Sequence, residues 1–292
     1  MKTDLIDSLA GLEQLRPEWA ALHAACPRAT PFQSPQWLIP WTRHLFGGGE
    51  IWAVALWDGN DLIGLAPLFC WGVERRFVSF LGAGISDYGD ILFAPERERE
   101  CVREVWRFLE ERQERWDALD LQEIRGGTAL LEGRAAEPCS VCPVLDLATY
   151  PDSMDRKHRT DLRRAQNKLQ KSADLQFSCA SFDQFLPLYE TRWGAMDESL
   201  RRFHREVSGD FQLLKIDGAP AATIYTLSAG RTIYCYLSGY APAMANLSPG
   251  AVLLSRVIEQ AIADGLTEAD FLRHPEAYKY LWGAQDRVNY KL

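Results

Sequence analysis

At 292 residues, with 47% hydrophobic, 11% aromatic and 25% charged side chains, the chain has a core-forming composition and room for two domains. Its formal net charge of −8 excludes a general nucleic-acid binder, although a local basic site remains compatible with it. The opening MKTDLIDSLAGLEQL is acidic early and lacks an apolar run, so it does not read as a signal peptide. The longest apolar stretch, 62–73, is short and holds Gly64, Pro67 and Gly72, so no membrane span is expected. Seven cysteines, an odd number without a spaced framework, fit reduced thiols and a cytoplasmic protein. The lone CxxC, Cys139 to Cys142, lacks the second ligand pair that a zinc site needs.

In chain order, residues 1–46 are predicted helical. Leu12, Leu15, Trp19 and Leu22 form one stripe, and a second helix opens at Ser34-Pro35 with Trp37, Trp41 and Leu45 on one face. Gly47-Gly48-Gly49 ends it and is no phosphate loop, because no lysine follows. Two strands, 51–57 and 62–71, flank an Asp58-Gly59 turn, and 76–81 is a third. A helix over 96–115 and a strand over 116–124 complete this half. The second half repeats the plan: strands 211–216 and 221–227 flank Asp217-Gly218, and a helix and strand end in Asp270-Phe271 as the earlier pair ends in Asp120-Leu121. The pattern predicts a duplicated α/β fold (α+β in its mixed sheets), with residues 1–150 and 151–292 as the two domains.

The most informative stretch is Tyr234–Gln260. It starts as an uncharged aromatic strand, breaks at Ser238-Gly239, and restarts as a helix at Ser248-Pro249-Gly250. Serine is a favoured N-cap, and proline at the first helical position forfeits no needed N–H. Free amides and the positive end of the helix dipole then offer an anion site. Downstream come Asp264-Gly265, a strand through Asp270, and the tail Tyr278-Lys279-Tyr280-Leu281-Trp282-Gly283.

This order resembles the GNAT-like acyltransferases related to CelD and the Fem peptidoglycan-bridge ligases. The likeness covers residues 152–285 well and extends loosely to PFQSPQW and SDYGD in the first half. It includes the basic segment 156–171 and the Tyr189–Trp193 patch. One departure is visible: the usual Q/R-x-x-G-x-G/A loop is reduced to Asn246-Leu247-Ser248-Pro249-Gly250-Ala251. The resemblance implies two tandem GNAT-like domains, each a mixed sheet flanked by helices, with the site in the second. It implies no tightly bound cofactor and acyl-CoA as co-substrate. Its pantetheine arm would run along the 233–237 strand edge, by Leu237, Ser238 and Gly239. The acyl carbonyl would meet an amide near Leu237 or Ser238. The pyrophosphate would sit after Ser248, on the amides of Gly250, Ala251 and Val252.

Direct acyl transfer to an amine needs proximity, a base and oxyanion stabilisation, and no nucleophile elbow (GxSxG) or metal-spaced histidines are found. Asp270 is the expected base, its rival reading being a structural, hydrogen-bonded carboxylate. Tyr278 is placed to protonate the leaving thiolate and Lys279 to bind a phosphate or the acceptor, with Glu276 beside them. Asp87, Tyr88 and Asp90 are candidates from the first half, and His204 and Trp193 are acceptor-pocket candidates that also read as core or rim. The segment 155–171 holds seven lysines or arginines against two acids. It reads either as a solvated face or as a patch for donor phosphates, an anionic acceptor or a charged tRNA. Three functions follow: an N-acyltransferase using acyl-CoA or an acyl carrier with a small or sugar-linked amine acceptor, a Fem-type ligase using aminoacyl-tRNA, or a non-catalytic binding protein.

Overall fold

Strand β1 (Lys2–Ile6) and helices α1 (Leu9–Gln14), α2 (Arg16–Ala25) and α3 (Pro35–His44) open the chain; the computed structural model describes residues 1–292. Ser8 and Ser34 cap α1 and α3 by accepting the amides of Gly11 and Trp37. Next come β2 (Glu50–Asp58), β3 (Asp61–Trp71), β4 (Phe77–Phe80), β5 (Leu92–Phe93), α4 (Glu98–Glu110), β6 (Ala118–Asp120) and β7 (Ile124–Arg125). These belong to one unit, Met1–Ser140 with Arg287–Leu292; the other is Val141–Asp286. In the first unit the sheet runs β1-β2-β3-β4-β6, antiparallel until the parallel β4–β6 pair, with β5 also on β3.

Strand β8 (Glu137–Asp146) leads into the second unit. There follow α5 (Arg156–Ser172), β9 (Leu175–Ala180), α6 (Phe182–Trp193), α7 (Glu198–Glu206), β10 (Asp210–Ile216), β11 (Ala219–Ala229) and β12 (Thr232–Tyr240). The chain closes with α8 (Pro249–Ala263), β13 (Glu268–Asp270), α9 (Ala277–Tyr280) and β14 (Gln285–Lys291). In the second unit β9, β10, β11 and β12 are antiparallel neighbours, β12 and β13 are parallel, and β13 pairs antiparallel with β8. Each unit therefore has three antiparallel steps, then a helix that carries the chain to a parallel strand. This is the duplicated plan expected from the sequence. The expected division at 150/151 differs from the observed one because β8 begins before the boundary and Arg287–Leu292 return to the first unit through β14, whose Asn289 and Tyr290 pair with β7.

Several strands fall outside the expected elements, β1 and β9 among them. β1 and β9 are edge strands with mostly exposed or half-exposed side chains, so no apolar alternation marks them. The single strand expected over 116–124 is split, because Glu123 adopts a left-handed φ of 59° between β6 and β7.

Alternation along the strands gives the second unit's sheet two apolar faces. One, with Leu214, Ile216, Ile224 and Ile233, packs under Leu162 and Leu169 of α5 and Val252, Leu253, Val257 and Ile258 of α8. Each such side chain contributes about 1.5–3 kcal/mol on burial. The other face holds an aromatic cluster of Phe182, Phe185, Phe203, Phe211 and Tyr225, joining α6 and α7 to the sheet. Helix α6 lies directly on β12 at Gly239, where an added Cβ would stand 2.4 Å from the Leu188 carbonyl oxygen and 2.6 Å from the Tyr189 nitrogen. These are backbone atoms and cannot give way as a side chain can. No helix is long and apolar enough to cross a membrane. Gly239→Ala is expected to push α6 off the sheet and to cost about 1–3 kcal/mol or more, read as a lower urea midpoint at unchanged slope.

Candidate active site

The site is organised by the place where two strands part. β12 and β13 pair in parallel over Thr232↔Glu268, Ile233↔Ala269 and Tyr234↔Asp270, and no further. After Asp270 the main chain keeps to β8: the amide of Phe271 donates to the Pro143 carbonyl at 2.9 Å and that of His274 to the Val141 carbonyl at 3.1 Å. Leu272 and His274 are left-handed, at φ 61° and 79°, which bends the segment away from β12. β12 contributes a bulge, since Leu237 faces Tyr225 while Cys235 faces Thr226, leaving Tyr236 as the extra residue. From Cys235 to Ser238 the strand therefore has β11 on one side, no strand on the other, and half-buried side chains.

Lys279 holds this bend. Its ammonium is buried and donates to the carbonyls of Leu272 at 3.0 Å, Arg273 at 2.6 Å and His274 at 2.9 Å, with Glu276 at 2.7 Å as counter-ion. An ammonium has three donors, and these are all engaged. The expectation that Lys279 binds a phosphate or the acceptor is thus corrected: it is the clamp of the loop after β13, and Glu276 is its ion-pair partner. Replacing it by methionine, close in size but uncharged, is expected to cost ~3 kcal/mol or more in denaturant unfolding, because three carbonyls, that of Leu272 buried, lose their donor.

Asp270 is fully buried at the last paired position and accepts the Leu272 amide on Oδ1 at 2.8 Å. Cys235 follows the pairing limit, and burial, reinforced by Asp270 and opposed by Lys279, pushes its thiol up to about 12. That makes it an unreactive thiol near neutrality. Tyr278 is raised to about 12 by removal from water, then by Glu276 and Cys235, with Arg192 opposing. Its hydroxyl keeps its proton and can act as a donor. Asp270 and Lys279 act on Cys235, and Cys235 and Arg192 on Tyr278, so these groups share one electrostatic neighbourhood.

The helix start differs in detail from the sequence expectation. Ser248 precedes α8 but lies at φ 51° and ψ 44°, and its side chain makes no capping bond; caps need extended backbone. The Val252 amide already donates to the Ser248 carbonyl at 3.1 Å, so it is removed from the expected anion-binding set. Gly250 and Ala251 keep first-turn amides that have no intrahelical acceptor. Tyr240, at the end of β12, flanks Gly250 at 4.0 Å from an added Cβ.

Sequence reasoning did not foresee what covers the open strand. Trp193, 56% exposed at the end of α6, donates its indole N–H to the Ser238 carbonyl at 2.9 Å. Arg192 lies over the rings of Trp193 and Tyr240, at 4.5 and 5.5 Å. His204 is buried among Phe182, Phe203, Tyr225 and Tyr236, and burial lowers its pKa to about 4, so it is neutral. On α5, Leu162 and Leu169 are buried while Arg156, Lys157, Arg163, Arg164 and Lys168 are exposed; Arg159 pairs with Asp152 at 3.1 Å and Arg164 with Asp161 at 3.4 Å.

Asp87, Tyr88 and Asp90 lie buried within the first unit, where the Asp87 carbonyl accepts from Asn289 at 3.1 Å. Asp90 is raised to about 6 by burial, which Arg28 only partly offsets. A raised carboxylate favours the fold most below its unfolded value and loses that advantage as pH climbs through 6. Asp90→Asn should therefore gain on the wild type by about 2–3 kcal/mol between pH 4 and pH 7, measured by urea unfolding at each pH.

Comparison with known proteins bears on the fold. The acetyltransferase (GNAT) domain family matches residues 156–280. The crystal structure of FemX superposes with a TM-score of 0.69 at 11% identity, covering 100% of this chain and 97% of that one. The C-terminal domain of a putative lysylphosphatidylglycerol synthetase from Agrobacterium fabrum gives 0.65 at 9% identity, over 96% of this chain and 91% of that one. A tandem GNAT protein from the clavulanic acid biosynthesis pathway gives 0.53 at 13% identity, over 100% and 98%. At such identities the likeness is one of fold, and no curated protein sequence matches. Residues 156–280 match the acetyltransferase (GNAT) domain family, and the chain has the fold of the tandem GNAT and FemX structures.

Proposed function

We propose that this chain is an acyltransferase that takes its acyl group from coenzyme A or a related thioester carrier and passes it directly to an amine, small or sugar-linked. The observation that carries this reading is the parting of β12 from β13 after Tyr234↔Asp270, which leaves a strand edge free for an extended donor arm. At the far end of that edge, the first-turn amides of Gly250 and Ala251 and the α8 dipole supply a place for its phosphates. The amine would attack the thioester carbonyl, and the oxyanion would develop against a strand amide near Leu237 or Ser238. Asp270 is the proposed acceptor of the ammonium proton, directly or through water. Tyr278, which holds its proton, is the proposed acid for the departing thiolate. The seven cysteines form no disulfide, which fits a reducing, cytoplasmic setting.

A second reading, transfer from aminoacyl-tRNA, rests on the exposed basic face of α5 and on the Fem likeness in sequence and fold. The two separate cleanly in solution. Acetyl-CoA or a longer acyl-CoA at a hundred times its Kd is expected to stabilise the protein by about 2.7 kcal/mol, seen as a raised Tm. Absence of any shift with CoA thioesters or an acyl carrier, together with salt-sensitive binding of charged tRNA that charge reversal at Arg163 and Arg164 abolishes, would transfer the assignment to the second reading.

A further inference from the structure

We propose that Trp193 sets access to the donor channel, its indole N–H holding the place on β12 that an amide N–H of the donor's pantetheine arm takes in the complex. The inference rests on the thioester reading above and adds a residue that decides how tightly the donor is held.

The Ser238 carbonyl lies on the stretch of β12 that β13 has left, where a strand edge without a neighbouring strand can offer a main-chain acceptor to an extended ligand. That acceptor is already taken, by Trp193 at 2.9 Å. A carbonyl oxygen can accept two bonds, but the indole that reaches Ser238 occupies the edge along which an extended arm would lie. Donor binding on that path therefore displaces the indole.

The surroundings show which part can move. The body of α6 is fixed to β12 by the close approach at Gly239, and Phe182, Phe185 and Leu188 are buried beneath it. Its continuation is fixed too, since Glu190 accepts from the Met196 amide at 2.9 Å and from Arg201 at 2.7 Å. Between these anchors lie Arg192, Trp193 and Gly194, all exposed. Gly194 sits at φ 85° with nothing within 4 Å of an added Cβ, so the residue after the indole has a glycine's conformational range and open space. Swinging Trp193 outward breaks one hydrogen bond and one exposed stack on Arg192, without opening the core. Arg192 lies over Tyr240 as well, so the same motion frees a cation beside the helix start that Tyr240 flanks.

The competition has an unusual signature: removing the residue's donor should improve binding. Trp193→Phe keeps an aromatic ring for Arg192 but has no N–H. By isothermal titration on the full chain, acetyl-CoA is expected to bind this variant about twofold to tenfold more tightly than the wild type, the range of one net neutral hydrogen bond. Once an amine acceptor is in hand, KM for the thioester should fall with kcat nearly unchanged. Equal or weaker binding by the variant would overturn the proposal and make Trp193 part of the donor's pocket wall. A second measurement does not depend on the variant's affinity. The Trp193 indole ¹⁵N–¹H resonance of the wild type, assigned by its loss in the variant, should move on saturation with acetyl-CoA. A resonance that stays in place at saturation would also overturn the proposal. If neither protein binds any CoA thioester, the donor reading itself falls and takes this proposal with it, an outcome distinct from equal binding by both.

Discussion

The whole site depends on one constraint: after Asp270 the chain stays with β8 and leaves β12. Main-chain bonds to Pro143 and Val141 hold the departing segment, and two left-handed residues turn it. Left-handed backbone at leucine and histidine is costly, of order 1–3 kcal/mol each, and persists only where surroundings over-determine it. Lys279 supplies that determination by satisfying three carbonyls of the same loop. A residue that looks chemical in the sequence is thus architectural, and its work is to keep an edge open.

The opening matters because a sheet edge is the one surface where main-chain groups can be offered to an extended ligand without unfolding anything. Within one unit the fold places three features along it: the bulge at Tyr236, the edge itself, and the first turn of α8. The aromatic cluster under the opposite face keeps α6 and α7 in position, with a neutral histidine among its rings. Rigid support below and an open edge above are what the proposed direct transfer would require, since positioning supplies much of such a rate.

Much of this was legible in the sequence. The hairpins at Asp58-Gly59 and Asp217-Gly218, the SPG helix start, and the repetition that places Asp120 and Asp270 at equivalent strands all reflect local chemistry that short spans encode. The edge strands β1 and β9 were not legible, because a strand with one side in water carries no obligatory apolar period. The left-handed Ser248 was misread as an ordinary cap, since the residue type is right and only the backbone conformation is wrong. Lys279 and Trp193 were named for the chemistry of their side chains. Their actual partners are main-chain carbonyls at Leu272 and Ser238, and carbonyls have no letter in a sequence.

The return of Arg287–Leu292 to the first unit has a consequence for how the molecule is made. Asn289 is fully buried there, bonded to the Asp87 carbonyl and the Glu123 carboxylate. On the ribosome these partners emerge long before Asn289 exists, so the earlier-synthesised unit must wait for a segment translated after the whole of the later one. The usual order of maturation is inverted: the later unit can finish while the earlier one is still missing its final strand. Severing the chain at the unit boundary would strand that strand on the wrong fragment.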